Sequence, residues 1–398
     1  MKTKSSLMMV ALAMGVFMMC VTFISCSTDD NPVYSDVPSV GECVVTKGML
    51  IINNGNYYNG IDGSLTYVNF IGDSYTVQQD VYKKANGESL GGTPNDVMAY
   101  GEKIYIAGSD ENTVFVLNIR TFKLIEKINT VQEMGSAEGV NPRALEAYGG
   151  KVYVSTYGGY VAVIDTGSVS VPPHYESCYK VGSAPEGMAI GGTTDADMAL
   201  YVANSDYGYG NGSISKISLA NGSITEIKND KIQNPQQLAV VGDVIYVLDW
   251  GYYDENWMQP QKDAGVYVIN GSIVSKVVPD AIGMAVAGQS IVTYNFPYGS
   301  TKATYNVYNI VYGSLDTFTP TGGTPIEYPC AIAVDPNTGQ VCIASRKMDP
   351  DTGYPNYSMP GYVNVYTGKG QFVDSGSFPT GVEPHAIAFT YGVAKLQY

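Results

Sequence analysis

The sequence predicts an all-β fold, a seven-bladed β-propeller with four antiparallel strands per blade, and three observations carry that expectation. A short phrase recurs seven times, a Val/Ile/Tyr-rich run follows six of the copies at a near-constant offset, and the last copy lies almost at the C-terminus. The phrase is Pro or a substitute, two variable residues, a large aliphatic, then Ala among apolar residues. It stands at Pro94-Asn95-Asp96-Val97, Pro142-Arg143-Ala144-Leu145, Pro185-Glu186-Gly187-Met188, Pro235-Gln236-Gln237-Leu238, Ala281-Ile282-Gly283-Met284, Pro329-Cys330-Ala331-Ile332 and Pro384-His385-Ala386-Ile387. Successive copies lie 48, 43, 50, 46, 48 and 55 residues apart, a period that belongs to a radial repeat. A β-sandwich also holds many short strands with Gly-rich turns, but it does not require a recurring phrase.

The second run of each repeat reads as a strand, because it is short, rich in Val, Ile and Tyr, and bounded by turn residues. Examples are Lys103-Ile104-Tyr105-Ile106, Lys151-Val152-Tyr153-Val154, Leu200-Tyr201-Val202, Val244-Ile245-Tyr246-Val247, Ser290-Ile291-Val292-Thr293 and Gln340-Val341-Cys342-Ile343. In the first repeat Thr113–Leu117 and Leu124–Ile128 supply a third and a fourth strand. The seventh phrase has only Phe389-Thr390-Tyr391 and a short tail after it, while Met49–Asn53, Ser64–Val68 and Tyr75–Val77 match the second, third and fourth strands. The last blade is therefore expected to be closed by N- and C-terminal strands, with the C-terminal strand innermost, which removes open edges.

Length alone would suggest more than one domain, but a radial repeat makes 398 residues ordinary for one. The N-terminus reads as a separate element: a basic start at Lys2 and Lys4, an apolar stretch from Leu7 to Ile24, then Ser25-Cys26. This is the pattern of a secretory signal, and Phe23-Ile24-Ser25-Cys26 resembles a bacterial lipobox with Phe where Leu is usual. The expected organisation is a lipoprotein signal peptide over 1–25, a flexible tether over 26–43 carrying lipidated Cys26, and the propeller over 44–398. The polar run Ser27–Pro32 has too few apolar residues to fold, and its acidic start resembles the surface-export signal of Bacteroidota lipoproteins. The expected location is the outer membrane, lipid-anchored and facing outward.

The net charge of −15 becomes −17 without the first 25 residues, which hold two Lys and no acid. Such a surface repels phosphate backbones and excludes nucleic-acid binding. Cys43, Cys178, Cys330 and Cys342 remain after processing, with no metal-like spacing and no pairing that the hairpin register supports. Neither a cofactor nor a metal is expected.

Recognition chemistry gathers in the loops between second and third strands, which share a face with the connections between blades. These loops hold Tyr57 and Tyr58, Tyr157, Tyr207 and Tyr209, then Trp250, Tyr252, Tyr253 and Trp257, Phe296 and Tyr298, and finally Arg346 and Tyr354. Tyr and Trp offer large rigid area with a polar handle, and the interleaved Asn, Ser and Gly add adaptable hydrogen bonds. The same rings could instead pack loops on one another. Catalysis finds little support: His174 and His385 fall in different blades, and no nucleophile elbow, HExxH or phosphate loop occurs. His385 reads as a variable rim residue, and the Asp335–Gly339 and Asp349–Gly353 runs read as turns.

Pro235-Gln236-Gln237-Leu238-Ala239 and the strand Leu200-Tyr201-Val202-Ala203-Asn204 resemble the YncE-like, or YVTN, seven-bladed propellers. With the lipobox, acidic tether and Tyr-rich loops, the chain resembles the BtuG-type propeller lipoproteins of Bacteroidota. That resemblance implies a non-enzymatic lipoprotein that binds cobalamin (vitamin B12) or a related corrinoid and passes it to a TonB-dependent transporter. A surface scaffold without a small ligand is the other expectation.

Overall fold

Strands with period-2 alternation send neighbouring side chains to opposite faces of a sheet, and here both faces are buried. Met49, Leu50, Ile51 and Ile52 are all fully buried; Met49 and Ile51 pack with blade 6, whereas Leu50 and Ile52 pack with blade 1. This explains the near-continuous apolar runs in the second strands, since no face is left for polar residues. The structure, a computed structural model, describes residues 42–395 except 72–73, 169, 253–262, 298–299 and 301. Over those residues the chain forms seven four-stranded antiparallel sheets.

Six blades are consecutive in sequence, each running from the channel outward. Their inner strands are Pro94–Tyr100, Pro142–Tyr148, Pro185–Gly191, Pro235–Val241, Gly283–Ala287 and Tyr328–Val334. The seventh sheet places Pro384–Lys395 innermost, followed by Glu42–Asn53, Ser64–Ile71 and Ser74–Gln78, as the sequence predicted. The two chain ends pair from Glu42 opposite Lys395 to Asn53 opposite Pro384, with two register shifts. Apolar residues buried in the described part divide into clusters at the seams between blades; one joins Tyr105, Val114 and Val116 of blade 1 to Leu145, Val152 and Val154 of blade 2.

Several boundaries differ from the sequence reading. The strand expected near Met49 already begins at Glu42, inside the span read as tether, because the C-terminal strand runs on to Lys395 and supplies it with a partner. In the fifth copy the strand starts at Gly283 rather than Ala281. There the Ile282 N–H still donates to the Tyr294 carbonyl of the neighbouring strand at 2.9 Å, one residue before the regular pairing of Gly283 with Tyr294 begins. Two short helices interrupt the all-β pattern at Val81–Asn86 and Thr130–Met134. The first drives Val81 and Tyr82 into the seam between blades 7 and 1.

The residue before the phrase has positive φ in five blades: Thr93, Asn141, Ala184, Asp280 and Glu383. This kink swings the chain from the outer edge of one blade to the inner strand of the next. For β-branched Thr93 the conformation is strained, and its hydroxyl is held by Asp110 at 2.6 Å.

Burial of the seams predicts that Leu50→Ala costs about 3 kcal/mol in urea unfolding. Ile273→Ala, at a side chain 67% exposed, should change stability by under about 0.5 kcal/mol. Equal effects of the two would show that the seams do not carry the fold.

Candidate functional site

The inner edge of each inner strand faces the central channel and has no strand beside it, so its N–H groups need other acceptors. Side chains from the preceding blade supply some of them. Asp96 Oδ2 accepts from Leu145 N at 2.8 Å, joining blade 1 to blade 2, and Gln237 Oε1 accepts from Met284 N at 3.1 Å, joining blade 4 to blade 5. Ser155 Oγ accepts from Ala144 N and donates to the Glu186 carbonyl at 2.8 Å, tying blade 2 to blade 3.

The second residue of each phrase is displayed at the mouth. Asn95, Arg143, Glu186, Gln236, Ile282, Cys330 and His385 all line one cavity of about 490 Å³. The lining is unevenly divided. Blades 1 to 4 and 7 contribute polar groups, whereas Ile282, Met284, Tyr294, Cys330 and Trp250 make the arc of blades 4 to 6 mainly apolar. The volume is within the usual range for small-ligand sites.

Two guanidinium groups organise the rim. Arg143 of blade 2 meets Glu186 of blade 3 at 3.1 Å and stacks on Tyr157 with 4.6 Å to the ring centre. The Tyr157 hydroxyl donates to the other Glu186 oxygen at 2.6 Å. Tyr207 packs edge-on against Tyr157 at 5.3 Å, and Tyr209 follows at 6.4 Å. Near the opposite side, Arg346 of blade 6 donates through Nε to Glu383 at 2.6 Å. It stacks on Tyr328 and Tyr357 at 5.0 and 5.3 Å. Two amides join the blade 6 and blade 7 loops: Asn56 donates to the Tyr357 carbonyl at 2.9 Å and Asn59 to the Ser358 hydroxyl at 2.6 Å.

The sequence-predicted residues therefore separate into groups. Tyr57, Tyr58, Tyr207, Tyr209 and Tyr354 are exposed. Trp250 is partly exposed at the mouth, its indole N–H donating to the Ile282 carbonyl at 2.9 Å, and Tyr252 is half-buried. Phe296 is buried, edge-on against Tyr328 at 4.7 Å, so it packs against the rim rather than facing outward, and Arg346 is committed to Glu383. Tyr253, Trp257, Tyr298 and Cys26 lie outside the described residues. The Asp335 and Asp349 runs are turns closed by their own carboxylates: Asp335 accepts from Asn337 N at 3.0 Å, Asp349 from Asp351 N at 2.9 Å. Cys342 stands opposite Ala333 rather than Cys330.

Sequence reasoning read His385 as a variable rim residue and singled out neither Arg143 nor Glu186 at the same phrase position. Their signal was present: one position varies freely inside an otherwise regular phrase. A second repeated position ends the second strand, where Asn53, Asn204 and Asp249 are buried and polar. Asp249 accepts from Gln233, Asn234 and Gly251 amides at 2.7–3.0 Å, fixing the base of the Trp250 loop.

Electrostatics at the mouth follow from burial. His385 is lowered to about 4 by burial first, then by the fields of Arg143 and Arg346, so its imidazole is neutral at pH 7. Burial pushes Asp96 up to about 6 and Glu146 up to about 7 against hydrogen bonds that favour the charged forms.

The profile of a family described as "Domain of unknown function (DUF5074)" matches residues 47–172. No curated protein matches. Among solved structures, the chain is similar to a putative 6-phosphogluconolactonase from Bacteroides uniformis ATCC 8492, with 14% identity and a TM-score of 0.54 over 86% of this chain and 99% of that one. A second putative 6-phosphogluconolactonase, from Bacteroides fragilis NCTC 9343, aligns at 13% and 0.54 over 89% and 99%. Hydrazine synthase of Kuenenia stuttgartiensis aligns at 13% and 0.53 over 76% and 95%. Likeness at these identities shows the propeller fold alone.

Two outcomes follow from the buried carboxylates. The neutral form of Glu146 is favoured by the fold, so its stabilisation is full below pH 4.5 and fades as pH rises through about 7. Glu146→Gln keeps a carbonyl acceptor and stays neutral. It should be roughly 2 kcal/mol more stable than the parent at pH 8, with the difference gone by pH 4; a pH-independent difference would contradict the burial account. Asp249→Ala orphans three amides and should cost about 3 kcal/mol in thermal unfolding.

Proposed function

We propose that this chain is a non-catalytic surface lipoprotein whose propeller captures a small ligand on its aromatic face, a corrinoid such as cobalamin being the favoured occupant. The supporting observation is the mouth itself: a rim of exposed Tyr and Trp rings around a cavity lined by polar groups on one arc and apolar groups on the other. A corrin ring has broad, partly apolar faces and a fringe of amides. Its faces suit the rings, and its amides suit Asn95, Gln236 and the neutral imidazole of His385. In this reading Cys26 is diacylated, residues 26–41 tether the propeller to the outer membrane, and a TonB-dependent transporter receives the ligand.

The lactonase named for two of the similar structures would need a competent base here. His385 is the imidazole at the mouth, and its lowered proton affinity makes it a poor base near neutrality. Glu186 is already engaged by Arg143 and Tyr157. Capture is the better account of both.

Calorimetry with cyanocobalamin tests the reading. Saturable 1:1 binding is expected, weakened by about tenfold or more in Trp250→Ala, which removes an indole from the cavity lining. Absence of both heat and a shift in melting temperature would overturn the corrinoid assignment and favour a surface scaffold.

A further inference from the structure

A second cavity, of about 480 Å³, opens at the seam between blades 7 and 1, and its volume also falls in the range of small-ligand sites. Part of its wall is the turn holding Arg120 and Phe122, which joins the third and fourth strands of blade 1 and so lies on the face opposite the mouth. The ladder of the two chain ends shifts register between Thr46, opposite Tyr391, and Gly48, opposite Thr390, which leaves Lys47 as the extra residue of a β-bulge. A bulge re-aims the side chain it carries, and Lys47 lines the cavity. Gly392 leaves room for its stem, since a Cβ there would stand 2.8 Å from Lys47 Cε. Gly48 likewise leaves room for Tyr67, whose ring a Cβ would meet at 2.7 Å. Across the seam Phe122 takes a left-handed φ of 56°, a strained conformation for an aromatic residue, and its ring centre lies 5.1 Å from that of Tyr67.

The chain carries 37 acids against 22 Lys and Arg, yet Lys47 and Arg120 line this cavity and no acid does. Arg120 is matched by Glu102 at 2.9 Å, whereas Lys47 has no ion pair among the described residues. Thr390, only 3% exposed, lies beside the Tyr67 hydroxyl and presents a buried hydroxyl oxygen with no hydrogen-bond partner. Asn69 and Gln78 add side-chain amides, which both donate and accept. From these observations we infer that the seam between blades 7 and 1 is a second ligand site, and that its ligand is a small sugar acid bearing one negative charge. The charge follows from Lys47, the unmatched cation; a ligand ammonium would meet no carboxylate, which disfavours an amino acid. Hydroxyls follow from the amides and from Thr390, groups that pair best with partners able both to donate and to accept. The Tyr67 and Phe122 rings offer an apolar wall to the C–H face of a pyranose. The site is separate from the mouth and does not depend on what the mouth holds.

Calorimetry of the full chain with glucuronate as probe, beside glucose and glucose 6-phosphate, tests the assignment. Saturable glucuronate binding is expected, about tenfold or more tighter than that of glucose. Lys47→Met keeps the stem and removes the charge, and should bring glucuronate down to the affinity of glucose. Lys369→Met, at an exposed lysine outside the cavity, should lose less than about twofold. Thr390→Val removes the hydroxyl at nearly constant shape; it should weaken both sugars by about threefold or more, with melting temperature unchanged or raised because no protein hydrogen bond is lost. Cyanocobalamin should bind Lys47→Met as it binds the parent, so failure of the corrinoid reading and failure of this one are read separately. No glucuronate binding up to about 10 mM, equal affinity for glucose and glucuronate, or an equal loss in both lysine variants overturns the site. Glucose 6-phosphate binding tighter than glucuronate by about tenfold or more overturns the single charge, and a lowered melting temperature in Thr390→Val overturns the free hydroxyl.

Discussion

The pairing of Pro384–Lys395 with Glu42–Asn53 is the interaction on which the rest of the structure depends. A blade with both faces apolar is stable only when a neighbour covers each face, so an open array would always leave two faces in water. Closing the ring removes that cost at once. Leu50 and Ile52 gain Ile104 and Ile106 of blade 1, while Met49 and Ile51 gain Ala344 and Val363 of blade 6. Because the strand that closes the ring comes from the distant end of the chain, the seams at blade 7 require the ends to meet.

Closure leaves a second constraint at the channel, where inner strands have no neighbour on their inner edge. Asp96 and Gln237 meet it by reaching one blade forward to Leu145 and Met284. The residue just before each of them in the phrase is released from that duty. It can then be Asn, Arg, Glu, Gln, Ile, Cys or His without cost to the ring, and that freedom gives the mouth its polar and apolar arcs. The scaffold's regularity and the mouth's variety thus come from adjacent positions of the same phrase.

Much of the fold was legible because it is written in repetition. The Pro phrase marked the start of most inner strands, the Val/Ile/Tyr runs marked the second strands, and the truncated seventh copy announced closure by the termini. The left-handed kink before the phrase was less legible, since Thr93, Ala184 and Glu383 carry no turn signature of their own. The helix at Val81–Asn86 was also hidden, being formed by a seam that accepts Val81 and Tyr82 rather than by local pattern.

The site was legible by class but not by arrangement. Aromatic loops on one face could be read from composition and strand order, and so could the Tyr residues that prove exposed. The sequence by itself determined the number of blades, the manner of closure and the face that carries the variable loops, because those depend on period and on order along the chain. Only the tertiary structure decided that Phe296 packs edge-on against Tyr328, and that Arg143 belongs with Glu186 and Arg346 with Glu383. Those relations join residues of different strands across seams, at distances set by the curvature of the ring, and no local period encodes that curvature.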